Sequence, residues 1–416
     1  MKTDRTLRRR SFLTASTAMV GVRGLLGGTA GTNTAGRPRG VHLSHTDDPA
    51  TSATAAWFTD GLADPGTNLE YGSTPDLGQT ATGSSRRTPF GDSLVHQATM
   101  TGLDPGQTVH YRVGGATGYS GTFQFRTAGR PDDGGFTFTM YGDQGVSPDA
   151  VAVNETTIGE SPDLHLITGD TSYAEGDSRV WDAYFDQQQQ LFATTPTMPV
   201  VGNHEYDAPG PGAAGFRSRF ALPGNGYYYS FDYENVHFVG VDANGETITE
   251  GRAGEQLVWL ETDLARARRA RAGGDIDWII AFQHQPLYSS EDTRRSNIAR
   301  ISALEPIYQR YGVDLVLAGH NHMYERSLPM AGGVPTNDQQ RYTREQVGFL
   351  QVVNGGGGRG LYEFRPEYSF QAWSAEHALR HASTAFRVDE ERIQAKAVDA
   401  HTGELLDEFV VMAGQT

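Results

Sequence analysis

The chain has 416 residues, 37% of them hydrophobic and 10% aromatic, which is enough apolar material for more than one packed core and excludes a disordered or fibrous protein. Its 51 Gly and 19 Pro follow no three-residue period, so they mark turns between short strands and not a collagen-like helix. A net charge of −16 excludes a nucleic-acid-binding surface and a polybasic membrane anchor, and the lack of cysteine excludes disulfides, zinc ribbons and thiol nucleophiles, leaving His, carboxylate, Asn or Tyr to hold any metal.

In the first 40 residues Lys2, Arg5, Arg8, Arg9, Arg10, Arg23, Arg37 and Arg39 face Asp4 alone. Arg9-Arg10-Ser11-Phe12-Leu13 resembles a twin-arginine export signal. The apolar stretch from Ala15 to Val22 is too short for a membrane helix, which needs about 20 residues. Residues 1–39 are therefore expected to be a removable leader, with a disordered basic tail as the alternative. The protein is expected to be exported: secreted, at the cell surface or in the periplasm. The twin-arginine route carries folded proteins, which suits a chain that takes up metal before leaving the cytoplasm. Beyond the leader, 26 basic residues stand against 49 acidic ones, and Lys396 is the only lysine, so the mature surface is acidic and its cations are arginines.

From Val41 to about Thr127, short β-type runs alternate with Gly/Pro turns: Ala53 to Phe58, Asn68 to Gly72, Val95 to Met100, Val109 to Val113 and Thr122 to Arg126. This spacing predicts an all-β sandwich of fibronectin type III kind over residues 40–128, strengthened by the turn Leu103-Asp104-Pro105-Gly106 before a Tyr-bearing strand. It contains no cluster of catalytic residue types, so it is expected to support the cleft or wall it. Arg130 to Gly135 reads as the linker.

Residues 134–416 change to a rhythm of strand, loop and helix. Five apolar runs each end at a polar, ligand-capable residue: Phe136 to Tyr141 at Asp143, Leu164 to Thr168 at Asp170, Pro199 to Val201 at Asn203, Trp278 to Phe282 at His284, and Val313 to Leu317 at His320. Glu255 to Ala272 is a predicted helix with Leu257, Leu260 and Leu264 on one face, and Gln187 to Gln190 are assigned to an exposed helix face. In α/β proteins, loops at strand C-termini are where sites are built. Asp143, Asp170, Asn203, His284, His320 and His322, with Tyr173 three residues after Asp170, are too many oxygen and nitrogen donors for one tetrahedral zinc but suit two ions sharing a carboxylate.

The ordered set Gly169-Asp170-Thr171-Ser172-Tyr173, Gly202-Asn203-His204-Glu205 and Gly319-His320-Asn321-His322 resembles the purple acid phosphatases of the calcineurin-like metallophosphoesterase superfamily. Tyr141 to Gly145, Phe282 to Tyr288, His322 to Arg326 and Gln256 to Leu260 extend the likeness over nearly all of the chain after the leader. The resemblance implies an α+β fold: a four-layer α/β/β/α sandwich of two mixed sheets between helices, preceded by the fibronectin III-like domain. It implies a dinuclear centre, with Asp143, Tyr173 and His322 on a ferric ion, Asn203, His284 and His320 on a divalent ion (Zn, Mn or Fe), and Asp170 bridging. Two such cations lower the pKa of a water, so attack on a phosphate monoester by metal-bound hydroxide needs no covalent nucleophile. His204 is then the residue that contacts phosphate or protonates the leaving oxygen, with a structural role as the alternative.

Plant-type members carry a further histidine pair after the fourth motif, whereas Ser289 to Ser296 contains none. Arg294 or Arg295 is expected in its place, gripping phosphate without donating a proton; the alternative is a solvated loop paired to Glu291 or Asp292. The expected partner is a small phosphate ester, with no nucleic acid and no membrane span. The competing functions are a phosphodiesterase of the same superfamily and an inert exported binding or adhesion protein. Outside the site, His165 and His237 are expected as satisfied strand residues, and His377 and His381 as a surface-helix pair. Asn354 with Gly355 to Gly358 is read as a tight turn near the cleft, and Asn154-Glu155-Thr156 as a glycosylation sequon by pattern only.

Overall fold

A computed structural model describes residues 36–414 except 132, 209, 211, 245–252, 292, 293, 295, 338–340, 344–347 and 363–370. The Arg9-Arg10 leader motif and Arg295 lie outside the described residues.

Two seven-stranded mixed sheets carry the larger part of the chain. In the first, Thr197–Pro199, Leu164–Ile167 and Phe136–Tyr141 run parallel; Ala382–Val388, Arg392–Asp399 and Leu405–Met412 continue antiparallel, and Arg341–Thr343 closes the edge. In the second, Val236–Val241, Trp278–Gln283, Leu315–Ala318 and Leu350–Asn354 form a parallel core. Tyr229–Tyr233 flanks it on one side, and Tyr324–Ser327 and Ser374–Ala378 flank it on the other, all antiparallel.

The inner faces bury one aromatic-rich core, in which Phe138 stacks on Phe386 with centroids 4.6 Å apart and meets Phe238 edge-on at 5.3 Å. Helices Ala253–Gly273 and Ile298–Tyr311 cover the outer face of the second sheet through Leu260, Leu264, Leu304 and Tyr308. Pro148–Gly159 and Ser178–Phe192 cover the first through Val153, Tyr184 and Phe185. Helix, sheet, sheet and helix are thus the four layers, and the calcineurin-like α+β fold is present.

Ahead of it stands an all-β sandwich. One sheet orders Arg39–Ser44, Ser52–Asp60, Ser93–Thr101 and Ser84–Arg87; the other is built on Asn68–Gly72 and Thr108–Gly115, between which Trp57, Leu69, Val109 and Tyr111 are buried. Among the described residues, no helix is long and apolar enough to cross a membrane.

Three sequence expectations are corrected. The third strand is Thr197–Pro199, two residues earlier than Pro199 to Val201, because pairing with His165 to Ile167 fixes its register. Gln188 is fully buried and the Gln189 carboxamide accepts the Val41 N–H at 2.9 Å, so the glutamine run docks the sandwich and does not face solvent throughout. His377 and His381 share no helix: His377 lies on Ser374–Ala378, opposite Glu325, and His381 is buried against the Gly356 carbonyl. Their four-residue spacing yields to the open edge of Tyr324–Ser327, which takes the segment as a strand. The Asn154 carboxamide is 5% exposed within a helix, so the sequon offers no accessible acceptor.

Candidate metal centre

Five parallel strands of the two sheets point their C-terminal ends at one place. Tyr141, Ile167 and Pro199 of the first sheet lead to Asp143, Asp170 and Asn203; Gln283 and Ala318 of the second lead to His284 and His320. The two sheets are tied together there, since the Gly142 N–H of the first donates to the Asn354 carbonyl of the second at 2.9 Å; within the second, the Gly319 N–H donates to the His284 carbonyl at 2.9 Å.

The seven predicted donors are all brought together, and they separate into two groups. The Tyr173 hydroxyl lies 3.1 Å from both Asp143 Oδ1 and His322 Nε2, and His322 Nε2 lies 3.3 Å from Asp143 Oδ1. In the second group His284 Nε2 is 3.0 Å from Asn203 Oδ1, 3.2 Å from Asp170 Oδ2 and 3.2 Å from His320 Nδ1. Asp170, His284 and His320 offer three ligand atoms within 4.8 Å of one another.

Separations of 3.0–3.3 Å are those expected of neighbouring donors around a cation with bonds of about 2.1 Å. The outer ring nitrogens support the same assignment. His284 Nδ1 faces the Thr168 carbonyl and His322 Nδ1 the Gly360 carbonyl, each at 2.7 Å, which leaves each Nε2 lone pair turned to the cluster. The residues present therefore fit a pair of cations.

Electrostatics agree. Burial alone would lower the His284 pKa, yet the Asp170 and Asp143 carboxylates raise it to about 9, so a proton and a cation compete for one nitrogen. Burial and the charge on His284 push His320 down to about 2, which keeps that imidazole a free lone pair. Burial and the carboxylates of Asp143 and Asp170 push the Tyr173 phenol up.

Backbone strain is concentrated here. Asp143, Asp170, Tyr173 and His320 have φ of 58°, 48°, 53° and 69°, left-handed values that cost a non-glycine residue about 1 kcal/mol or more each and persist where surrounding structure enforces them. Glycines permit the close approach: a Cβ on Gly202 would lie 2.1 Å from Asp170 Oδ1, and one on Gly355 would lie 2.2 Å from the Asn321 carbonyl and 2.9 Å from Asp143 Oδ2. The Gly355 loop is therefore part of the site wall and more than a tight turn.

His204 is 30% exposed at its side chain, with Nδ1 3.1 Å from Glu175 Oε1 and 3.0 Å from Asp207 Oδ2. Its Nε2 lies 4.0 Å from Asp170 Oδ2, on the side of the donors. Asp292 lies outside the described residues; the Arg294 guanidinium lies 4.3 Å from the Tyr362 ring centroid, while its backbone N–H donates to the Glu291 carboxylate.

Sequence reasoning missed Glu205, Tyr362 and Arg359. The buried Glu205 carboxylate accepts the N–H groups of Asp170, Thr171 and Gly202 at 2.7–2.9 Å, fixing two donor loops at once. An acid three residues into a helix is a recognisable capping position, and that signal was available. Tyr362 and Arg359 lie in a glycine-rich loop with no such pattern.

The folded sheets and the convergent donors define a metallophosphoesterase, and comparison with known proteins narrows the class. The family model of the calcineurin-like phosphoesterases matches residues 143–324, and that of the purple acid phosphatase N-terminal domain matches residues 38–127. Purple acid phosphatase 21 of Arabidopsis thaliana is 30% identical over 308 residues, 70% of this chain and 67% of the relative. Acid phosphatase type 7 of Homo sapiens is 28% identical over 372 residues, 82% of this chain and 81% of the relative. A purple acid phosphatase structure from yellow lupin seeds superimposes with a TM-score of 0.81 at 22% identity, over 91% of this chain and 75% of the other. The chain belongs to the purple acid phosphatase family. It is a metal-dependent phosphatase, and the family implies a dinuclear metal centre.

Proposed function

We propose that this protein hydrolyses phosphate monoesters after export, with residues 1–39 as the leader, 40–128 as the fibronectin III-like domain and 134–416 as the catalytic domain. Asp143, Tyr173 and His322 would hold a ferric ion, Asn203, His284 and His320 a divalent ion (Zn, Mn or Fe), and Asp170 would serve both. The observation that carries this reading is the separation of the donors into two groups around Asp143 and His284, with spacings of 3.0–3.3 Å. When bound, the two ions supply an activated water and charge neutralisation for the phosphoryl oxygens.

The protein's own residues do the rest. Glu175 and Asp207 hold His204 by Nδ1, so Nε2 is the nitrogen left to carry a proton to the leaving oxygen. The chain Glu205, Asp170 and His204 is rigid, because Glu205 fixes the Asp170 N–H and Asp170 Oδ1 accepts the His204 N–H at 2.9 Å. Arg294 stands in the loop where plant members carry histidine, its guanidinium available to the substrate outside the reacting phosphoryl. Metal analysis with chromogenic esters tests the proposal. Two metals per chain, and faster cleavage of 4-nitrophenyl phosphate than of its bis ester, are expected. A faster diester would establish the phosphodiesterase alternative, and a metal-free, inactive protein the binding one.

A further inference from the structure

Two guanidiniums stand at the mouth of the site, each on the face of an aromatic ring. The Arg359 guanidinium carbon is 4.4 Å from the Tyr173 ring centroid, and that of Arg294 is 4.3 Å from the Tyr362 centroid. Both rings in turn contact His322. Tyr362 stacks on it with centroids 4.3 Å apart and planes at 12°, while Tyr173 meets it edge-on at 6.3 Å and 88°. A continuous series of ring and guanidinium contacts therefore runs Arg359, Tyr173, His322, Tyr362, Arg294.

The series is anchored at several points. The Arg359 N–H donates to the Asp143 carbonyl at 2.9 Å, and the Tyr362 hydroxyl donates to the His320 carbonyl at 2.9 Å. Both arginines are exposed, and among the described residues neither guanidinium makes an ion pair. A guanidinium stacked on a ring keeps its in-plane N–H fork open, which is the geometry that takes a tetrahedral oxyanion bidentately.

We propose that Arg359 and Arg294, at the two ends of this series, each offer a place for a second phosphate group of the substrate, one aromatic layer out from the donors that serve the reacting phosphoryl. The preferred substrates are then esters carrying two phosphates on one small scaffold. This rests on the phosphate-ester reading above, and the experiment keeps the two apart.

Two pairs of probes test it on the metal-loaded protein. Hydrolysis of fructose 1,6-bisphosphate is compared with that of fructose 6-phosphate, and calorimetric binding of propane-1,3-diphosphonate with that of methylphosphonate. The wild type is expected to favour the two-phosphate member of each pair. Arg359→Ala and Arg294→Ala are expected to lose about tenfold more kcat/KM, through KM, on the bisphosphate than on the monophosphate, as for loss of a charge-assisted contact. The same preference is expected to vanish from the binding constants, with Arg359→Lys intermediate. Unchanged melting temperatures confirm that the variants fold. Equal losses on both esters would place the arginines on the reacting phosphoryl and overturn the proposal, as would hydrolysis with no arginine-dependent preference. Failure to hydrolyse either ester, with the diphosphonate preference intact, would sink the monoesterase reading and leave this site standing.

Discussion

Tyr173 and Glu205 act on the same centre by different physics. The Tyr173 phenol, 3.1 Å from Asp143 and from His322, is the donor that would give a ferric ion its colour, because a phenolate on iron(III) absorbs visible light by charge transfer. Tyr173→Phe is expected to bleach the protein while much of the hydrolysis survives, since the phenol is neither nucleophile nor acid; absorption spectra at matched iron content check it. A band that persists would move the iron ligand elsewhere. Glu205 touches no donor atom of the cluster, yet its carboxylate holds the backbone of Asp170, Thr171 and Gly202. Glu205→Gln replaces one acceptor oxygen by a donor facing an N–H, so metal affinity is expected to fall about tenfold to a hundredfold, as for other residues that orient ligands. Metal retained after dialysis against a graded chelator series measures this.

Among the elements, helix Ala253–Gly273 is clamped to its sheet by one histidine. His237 is 2% exposed at its side chain; Nδ1 lies 2.6 Å from Asp232, its cross-strand partner, and Nε2 lies 2.8 Å from Asp263 on the helix. Burial lowers the pKa of this imidazole, but the hydrogen bonds and charges of Asp232 and Asp263 outweigh it and the net shift is upward. A folded-state pKa above the unfolded value of about 6.5 stabilises fully below that pH and is lost as pH rises through the folded value. His237→Gln is therefore expected to cost about 2 kcal/mol at pH 5, with the gap from wild type narrowing toward pH 9; denaturant titrations at both pH values measure it.

What was legible at this scale follows from the same physics. Phe136–Tyr141 alternates Phe136, Phe138 and Met140 with the β-branched Thr137 and Thr139, as a strand does, and its halt at Gly142-Asp143 is visible in sequence. His237 could be placed on a strand for that reason, but Asp263 lies 26 residues away, and long-range pairing of this kind leaves no local pattern. His377 and His381 failed for a related reason, since a short run next to an open strand edge takes whatever pairing the fold offers. The seven candidate donors stand out in sequence because five lie just beyond strand ends and Tyr173 and His322 follow Asp170 and His320 within three residues, while Arg359 and Tyr362 are defined only by the rings they contact.

At the scale of the whole molecule, the sandwich and the four-layer fold share a core. Phe58 and Val95 of the sandwich belong to the same buried cluster as Tyr184, Phe185 and Phe192 of helix Ser178–Phe192. Phe185 lies 4.8 Å from the Phe58 ring and 4.5 Å from His42, and the Tyr111 hydroxyl donates to the Ala193 carbonyl at 2.8 Å. Arg39 adds ion pairs to Asp60 on its own side and to Asp182 across the junction, at 2.8 and 2.9 Å. The helix so gripped begins five residues after Tyr173, so the sandwich steadies the loop that carries Asp170, Tyr173 and Glu175. An interface this apolar couples the two parts, and calorimetry is expected to show one cooperative unfolding transition for both. Phe185→Ala is expected to lower that transition by removing about 3–5 kcal/mol of packing. Because the same helix anchors the donor loop, metal release on heating is expected to move down with it. Two separate transitions in the wild type, with metal release following only the one that Phe185→Ala leaves in place, would show that the sandwich is a passenger.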